Sequence, residues 1–238
     1  MSEPYEPDNV LDRLTGQATL EFQYDQVKRR ERELLDRRLG IRSGDVLAVG
    51  CGWHPGRHLF PRPDFRLVGV DVDPHKVRVV VERGEVDEAF VGRGGELGEL
   101  ADGSFDVVLY RLVLHHIAYQ GPLAACFEEA ARLLRPGGAM VAVEPGSWHP
   151  VGAALGVANR AGLGTSVHGT PDDIPLSPRR LEAEARAAGL EPELHAVTFT
   201  WRRLPRPLQR ALQPFDQLGS RPRLRSFGHH LMLIARRH

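Results

Sequence analysis

The stretch Val46–Gly56, VLAVGCGWHPG, constrains this chain more than any other. An apolar run of strand type stops at two glycines, Gly50 and Gly52. A second apolar run, LVGVD, follows and ends in an acidic residue, Asp71. A strand, a glycine turn and a carboxylate about 20 residues further on is the layout that cradles a nucleoside cofactor on an open parallel sheet. The glycines let the backbone approach the ligand, and the carboxylate accepts hydrogen bonds from two ribose hydroxyls.

The rest of the chain agrees with a sheet of that kind. Strand patterns recur at Asp45–Val49, Phe65–Val70, Glu88–Val91, Asp106–Tyr110 and Ala139–Val143. Helical spacing separates them from Pro74 to about Glu82 and over Leu123–Leu134, where Arg135-Pro136-Gly137-Gly138 stops the helix. Alternation of this sort predicts a doubly wound parallel α/β sheet. Upstream, residues 1–16 read as a loose arm and 17–39 as one charged amphipathic helix ended by Gly40. Downstream, 147–177 reads as a long irregular connection, and such connections are usually lids or binding loops. Ser177 and Pro178 open a helix running to Ala188. Leu194–Trp201 and His229–Ala235 read as the last strands, with a short helix, Pro207–Leu218, between them. The expected organisation is one domain: a cap helix over 17–40, a cofactor half over 41–146, an acceptor lid over 147–177 and a substrate-side half over 178–238.

Composition removes several function classes. With 31 basic and 31 acidic residues the net charge is zero, so no global field points to nucleic acid. Cys51 and Cys126 give neither a disulfide framework nor metal-ligand spacing. The polar, acidic start MSEPYEPDNV does not read as a signal peptide, and no apolar run approaches a membrane span, so the cytoplasm is the expected compartment. His54 and His58 stand at i, i+4 and His229-His230 are adjacent, but no Cys or carboxylate completes a metal set. Residues 202–237 hold nine arginines against one acid, Asp216. This reads as a solvated surface, with a basic flap for an anionic substrate or membrane surface as the alternative.

Four blocks, VLAVGCG, LVGVDVDP, DGSFDVVLYRLVLHHI and LLRPGGAMVAVEPG, stand in one order over roughly residues 43–146. In that order they resemble the class I S-adenosylmethionine-dependent methyltransferases, in particular the small-molecule, quinone and lipid branch. The resemblance implies a Rossmann-like sheet of seven strands with the last antiparallel, S-adenosylmethionine as cofactor, and a small-molecule or lipid-like acceptor. It places Val49, Gly50, Cys51 and Gly52 along the methionine part of the cofactor, Asp71 on the ribose and Val72 against the adenine. Glu96 and Leu97 would stand near the adenine edge. Leu112 would offer its main chain, and Arg111 either meets the cofactor carboxylate or points outward.

His115 and His116 are the candidate general bases, since imidazole can take a proton near neutral pH. A shared structural role beside the cofactor is the competing reading, and His149 and His168 are alternative bases. Trp148 and Trp201 are candidate walls of the acceptor pocket, and Glu144 is a candidate substrate contact.

Two departures stand out. The first loop has Ala48 where the family carries an acid, and His54 where it carries a third glycine. The helix after the loop is confined by Pro55 and Pro61 to about one turn, Gly56–Phe60, as in some thiol and lipid methyltransferases. A catalytically inactive ligand-binding relative is therefore the second reading. A nicotinamide-dependent oxidoreductase would need a fuller glycine turn and a longer first helix.

Overall fold

A computed structural model describes residues 10–162 and 174–238. Seven strands form one sheet: β1 (Gly44–Val49), β2 (Phe65–Asp71), β3 (Glu88–Val91), β4 (Phe105–Arg111), β5 (Leu134–Pro145), β6 (Glu191–Thr198) and β7 (His230–Arg236). Their order is β3-β2-β1-β4-β5-β7-β6. Only β7 runs against its neighbours. The expected Rossmann-like α/β sheet is thus present. Strand order reverses between β1 and β4, and an open sheet leaves a crevice at the carboxyl ends of such a pair.

The strands are apolar on both faces because both are covered. Leu47, Val49, Val108, Tyr110 and Met140 pack on one side with helix α5 (Ala124–Leu133) and helix α7 (Pro178–Ala187). Val46, Ala48, Val107, Leu109 and Val141 pack on the other with helix α2 (Gln17–Arg38) and helix α3 (Pro74–Glu82). Asp73 caps α3 by accepting the His75 N–H at 2.8 Å, and Pro74 stands at its first position.

Several expectations change. Helix α1 (Val10–Thr15) replaces part of the loose arm, and residues 1–9 lie outside the described residues. The irregular connection contains helix α6 (Pro150–Arg160), which Pro150 starts; residues 163–173 of the expected lid, with His168, lie outside the described residues. Helix α4 (Leu114–Gln120) was not expected as a helix. The expected single turn after the first loop is a turn only, closed by Leu59 N–H on Gly56 O. β5 begins at Leu134, so the Arg-Pro-Gly-Gly run lies inside the strand, where the register with β4 shifts. β6 lies three residues earlier than its expected start, Leu194, and tolerates Pro192 because it is an edge strand. Helix α8 (Arg206–Asp216) follows it. Among the described residues no helix is long and apolar enough to cross a membrane.

The buried stripe of α2 carries three polar residues among its leucines: Gln23, Arg30 and Glu31. Each has a distant partner. Gln23 Nε2 donates to Thr200 O, Arg30 Nη2 donates to Asp216 O, and Glu31 accepts from Arg111. The helix is therefore keyed to the carboxyl edge of the sheet by polar contacts as well as by packing.

Candidate functional site

A cleft of about 710 Å³ opens at the carboxyl ends of β1 and β4. Its volume falls within the ~300–1,000 Å³ common for small-molecule sites. Leu20, Gln23, Tyr24 and Val27, one face of α2, form part of its wall, and the Gly50–His54 loop forms another part.

Gly50 and Gly52 both have left-handed φ, 64° and 48°. A side chain at Gly50 would overlap Val113, the residue that opens α4, so both conformation and space demand glycine. Replacing Gly50 with Ala is expected to lower the unfolding free energy by roughly 1–3 kcal/mol. A denaturant midpoint unchanged from the parent would show that the loop relaxes around the added methyl.

Asp71 sits beside this turn with 7% exposure. Its Oδ2 accepts the Gly52 N–H at 2.8 Å and its Oδ1 accepts the Asp73 N–H at 3.0 Å. An ionised carboxylate offers about four lone-pair sites, so each oxygen retains acceptor capacity. That residual capacity fits a diol. Val72 is exposed beside it. Cys51 is buried; burial first, and the Asp71 charge second, push its thiol up to about 12, so it stays protonated. Val49 is buried at the end of β1, below the loop.

The residues placed near the adenine edge separate. Leu97 is 3% exposed and packs in the core with Val49 and Val70, leaving no wall to offer a ring. Glu96 is exposed and bridges to Arg93. Neither lines the cleft, and Val49, Asp71 and Val72 do not line it either, although Asp71 is bonded to Gly52, which does. Gly94, in the same loop, leaves no room for a side chain: a Cβ would stand 2.8 Å from a Val49 methyl. Tyr110 Oη donates to Gly94 O at 3.0 Å and holds the loop there.

Arg111 follows neither expected course. It lines the cleft but is buried, and it grips Glu31 in a bidentate pair, Nε to Oε2 at 3.0 Å and Nη2 to Oε1 at 3.2 Å. Glu31 also meets His58 Nε2 at 3.0 Å. Burial opposes ionisation of Glu31, but Arg111 and His58 outweigh it and hold the carboxyl at about 2. Burial also works against the Arg111 charge, and Glu31 more than restores it, so the guanidinium titrates higher than usual. Leu112 follows at φ 56°, a left-handed conformation rare for a branched side chain, fixed by its N–H on Val143 O at 2.8 Å.

Glu144 is not a surface of the cleft. It is wholly buried and accepts the N–H groups of Val113 and Leu114 at 3.0 and 2.8 Å, which starts α4. It also meets His115 Nδ1 at 2.6 Å. The carboxylate accepts from Nδ1–H, which fixes the orientation of the ring. His115 and His116 both line the cleft, with ring centroids 4.0 Å apart.

The opposite wall comes from the end of β6 and the start of β7: Thr198, Thr200, Trp201, His229 and His230. Asp216 orders this wall by accepting Thr198 Oγ1–H at 3.1 Å and Phe199 N–H at 2.8 Å. Burial raises its carboxyl to about 6 despite those bonds. His149 bonds Phe199 O at 3.1 Å and stands edge-on to His229. Trp201 lines the cleft as expected, whereas Trp148 packs on Phe227 and Arg179 instead. Arg203 turns inward onto Asp12 of α1, and Arg202, still partly exposed, shares that carboxylate, so Arg203 at least is not solvated surface. Among the described residues no three His, Cys, Asp or Glu side chains converge as a metal site would require.

Sequence reasoning missed Glu31, Tyr24, Thr198 and Thr200, and weighed His229 and His230 only as metal ligands. A charged residue inside the apolar stripe of α2 was the available signal for Glu31.

Comparisons with known proteins agree with this geometry. A methyltransferase-domain family matches residues 47–142. Human thiol S-methyltransferase TMT1B is 33% identical over 134 residues, 50% of this chain and 53% of the relative. Demethylmenaquinone methyltransferase of Tropheryma whipplei is 31% identical over 110 residues, 44% of each chain. The chain thus spans about half the length of the curated relatives it matches. A Thermotoga maritima S-adenosylmethionine-dependent methyltransferase, described as a possible histamine N-methyltransferase, superposes with a TM-score of 0.66 at 16% identity, covering 93% of this chain and 92% of that one. Geranyl diphosphate methyltransferase, solved with S-adenosylmethionine, superposes at 0.56 with 19% identity, covering 89 and 85%. At such identities these two speak for the fold alone.

Proposed function

We propose that this chain is a class I S-adenosylmethionine-dependent methyltransferase that moves a methyl group onto a small-molecule acceptor held in the cleft between α2 and the β6–β7 wall. The observation that carries the reading is the pairing of a glycine turn at the end of β1 with a carboxylate at the end of β2 whose oxygens each keep acceptor capacity. Asp71 would hold the ribose, Val72 would lie against the adenine, and the main chain of Gly50, Gly52 and Leu112 would face the methionine end. When bound, S-adenosylmethionine supplies a methyl group already activated on a sulfonium.

The chain's own residues then have three tasks. The α2 face and the β6–β7 wall exclude water and align the acceptor for in-line attack. Glu144 orients His115 through Nδ1, which makes that imidazole the candidate to move a proton beside the reacting centre. Glu31 and Arg111 lock α2 over the site. The relatives named for thiols and for demethylmenaquinone favour a thiol or a quinol-like acceptor.

Calorimetry with S-adenosylmethionine tests the cofactor half of this reading, with saturable binding at micromolar concentration as the expected result. Mass spectrometry tests the acceptor half, a thiol or quinol gaining one CH2 after incubation. No heat of binding at millimolar cofactor would leave the inactive relative as the better account.

A further inference from the structure

The charged side chains that line the cleft are all cations. Arg83, Arg111, Arg202 and Arg203 reach its wall, and among the described residues no aspartate or glutamate does. The carboxylates that balance three of them stand behind the wall. Glu31 lies behind Arg111, and Asp12 behind Arg202 and Arg203, each with no exposure to solvent. A ligand in the cleft therefore meets the positive ends of these pairs first.

The acceptor side adds a second, independent observation. Thr200 Oγ1, His229 Nε2 and His230 Nδ1 are buried atoms with no hydrogen-bond partner among the described residues. All three residues line the cleft, and Thr200 is only 1% exposed. Such orphaned atoms are rare in native proteins and point to an absent partner. The rings also have a defined charge state. Desolvation, then His230, His149 and the two arginines, hold His229 well below its usual range. Desolvation leads again for His230; Glu31 pulls it up, the arginines push it down, and it rests at about 4. Both are neutral at pH 7. A neutral imidazole so disfavoured as a cation is a poor proton acceptor, but it still carries one N–H to donate. Thr200 brings one O–H.

We infer that Thr200, His229 and His230 hold the acceptor's nucleophilic atom as an anion, so the acceptor is a weak acid, a thiol or a phenol, bound as thiolate or phenolate. The X–H bond breaks on binding, the proton goes to solvent water, and the pair stays on X as the nucleophile. An amine acceptor fits poorly, because it offers these N–H and O–H donors no anionic atom to hold. The inference rests on the methyltransferase reading only for the fate of that pair; the anion site stands or falls by itself.

The test uses the whole chain, without cofactor, and 4-nitrophenol, whose phenolate absorbs at longer wavelength than the phenol. Absorbance of the bound probe is followed against pH. The titratable and charged groups around the site are His149, His229, His230, Arg111, Arg202 and Arg203, with Asp12, Glu31 and Glu144 behind them. The expected result is a bound probe that ionises at least about one pH unit below the free probe, a tenfold gain for the anion. Nitrobenzene, matched in shape but without the acidic group, should bind at least tenfold more weakly. Thr200→Val combined with His229→Leu should abolish the shift, and Thr200→Ser should keep it; circular dichroism confirms that each variant is folded. Ionisation at or above the free value, equal affinity for nitrobenzene, or no binding at millimolar probe would each overturn the inference. A shift without S-adenosylmethionine binding would leave the anion site and remove the methyltransferase reading. Cofactor binding without a shift would do the reverse.

Discussion

Replacing Glu31 with Ala is expected to cost about 3–5 kcal/mol of unfolding free energy, the penalty for leaving one member of a buried pair alone. Arg111 would lose both of its bonds to the carboxylate, and His58 would lose its partner. The guanidinium is buried apart from its edge on the cleft, so much of its desolvation stays uncompensated. Denaturant unfolding measures the loss. Removing both charges with Glu31→Leu and Arg111→Met should recover much of it, because a well-packed apolar pair often matches a buried ion pair. A single variant within 1 kcal/mol of the parent would mean that α2 is held by packing alone.

Acid provides an independent reading of the same pair. The folded pKa of Glu31, about 2, lies below its ordinary 4.5. Its contribution is therefore complete above about pH 4.5 and is lost as pH falls towards 2, amounting to about 3 kcal/mol. Loss of stability begins earlier than that. His229 and His230 are held below 6.5, so the unfolded chain binds protons first and stability already declines below about pH 6.5. In Glu31→Gln the early decline should remain and the loss between 4.5 and 2 should shrink to the part that comes from Asp87, whose carboxyl is also lowered to about 2.

The parts of this molecule legible in the sequence are those whose cause is local. β1, β2 and β4 are apolar runs buried on both faces, ended by glycine or a charged residue, and each was placed within a residue or so. The Asp73 cap has the same local character, because a cap acts two or three residues along the chain. α4 was not readable, because its first N–H groups are satisfied by Glu144, 30 residues away. α6 was hidden by glycines at 152 and 156, which lower helix propensity while permitting close packing. Arg111 was misassigned for a similar reason: its carboxylate lies 80 residues upstream, and a lone Arg after a strand says nothing about which anion it will meet. Leu97 could be read as a ligand wall only because its neighbours in the core were unknown. The loop that touches a ligand through its backbone is written in local glycines, whereas the walls that choose the acceptor are assembled from α2, β6 and β7, far apart in the chain.

Asp71→Ala is expected to weaken S-adenosylmethionine by at least about a hundredfold. The carboxylate would supply two charge-assisted hydrogen bonds to the ribose, each worth about 1.5–3 kcal/mol. It also organises the turn that faces the methionine end, through Gly52 N–H on Oδ2 and Asp73 N–H on Oδ1. Asn cannot replace it. One amide oxygen can serve one of those N–H groups, and the NH2 would then face the other donor. Asp71→Asn should therefore bind the cofactor no better than Asp71→Ala, although it keeps the shape of the side chain. Calorimetry with S-adenosylmethionine and with its demethylated product gives the affinities. Thermal unfolding gives a second reading, since saturating ligand at a hundred times its Kd stabilises the parent by about 2.7 kcal/mol and should leave the variants nearly unmoved. If Asp71→Asn binds within threefold of the parent, the charge is not what the ribose meets, and the carboxylate's role shrinks to holding Gly52 and Asp73 in place.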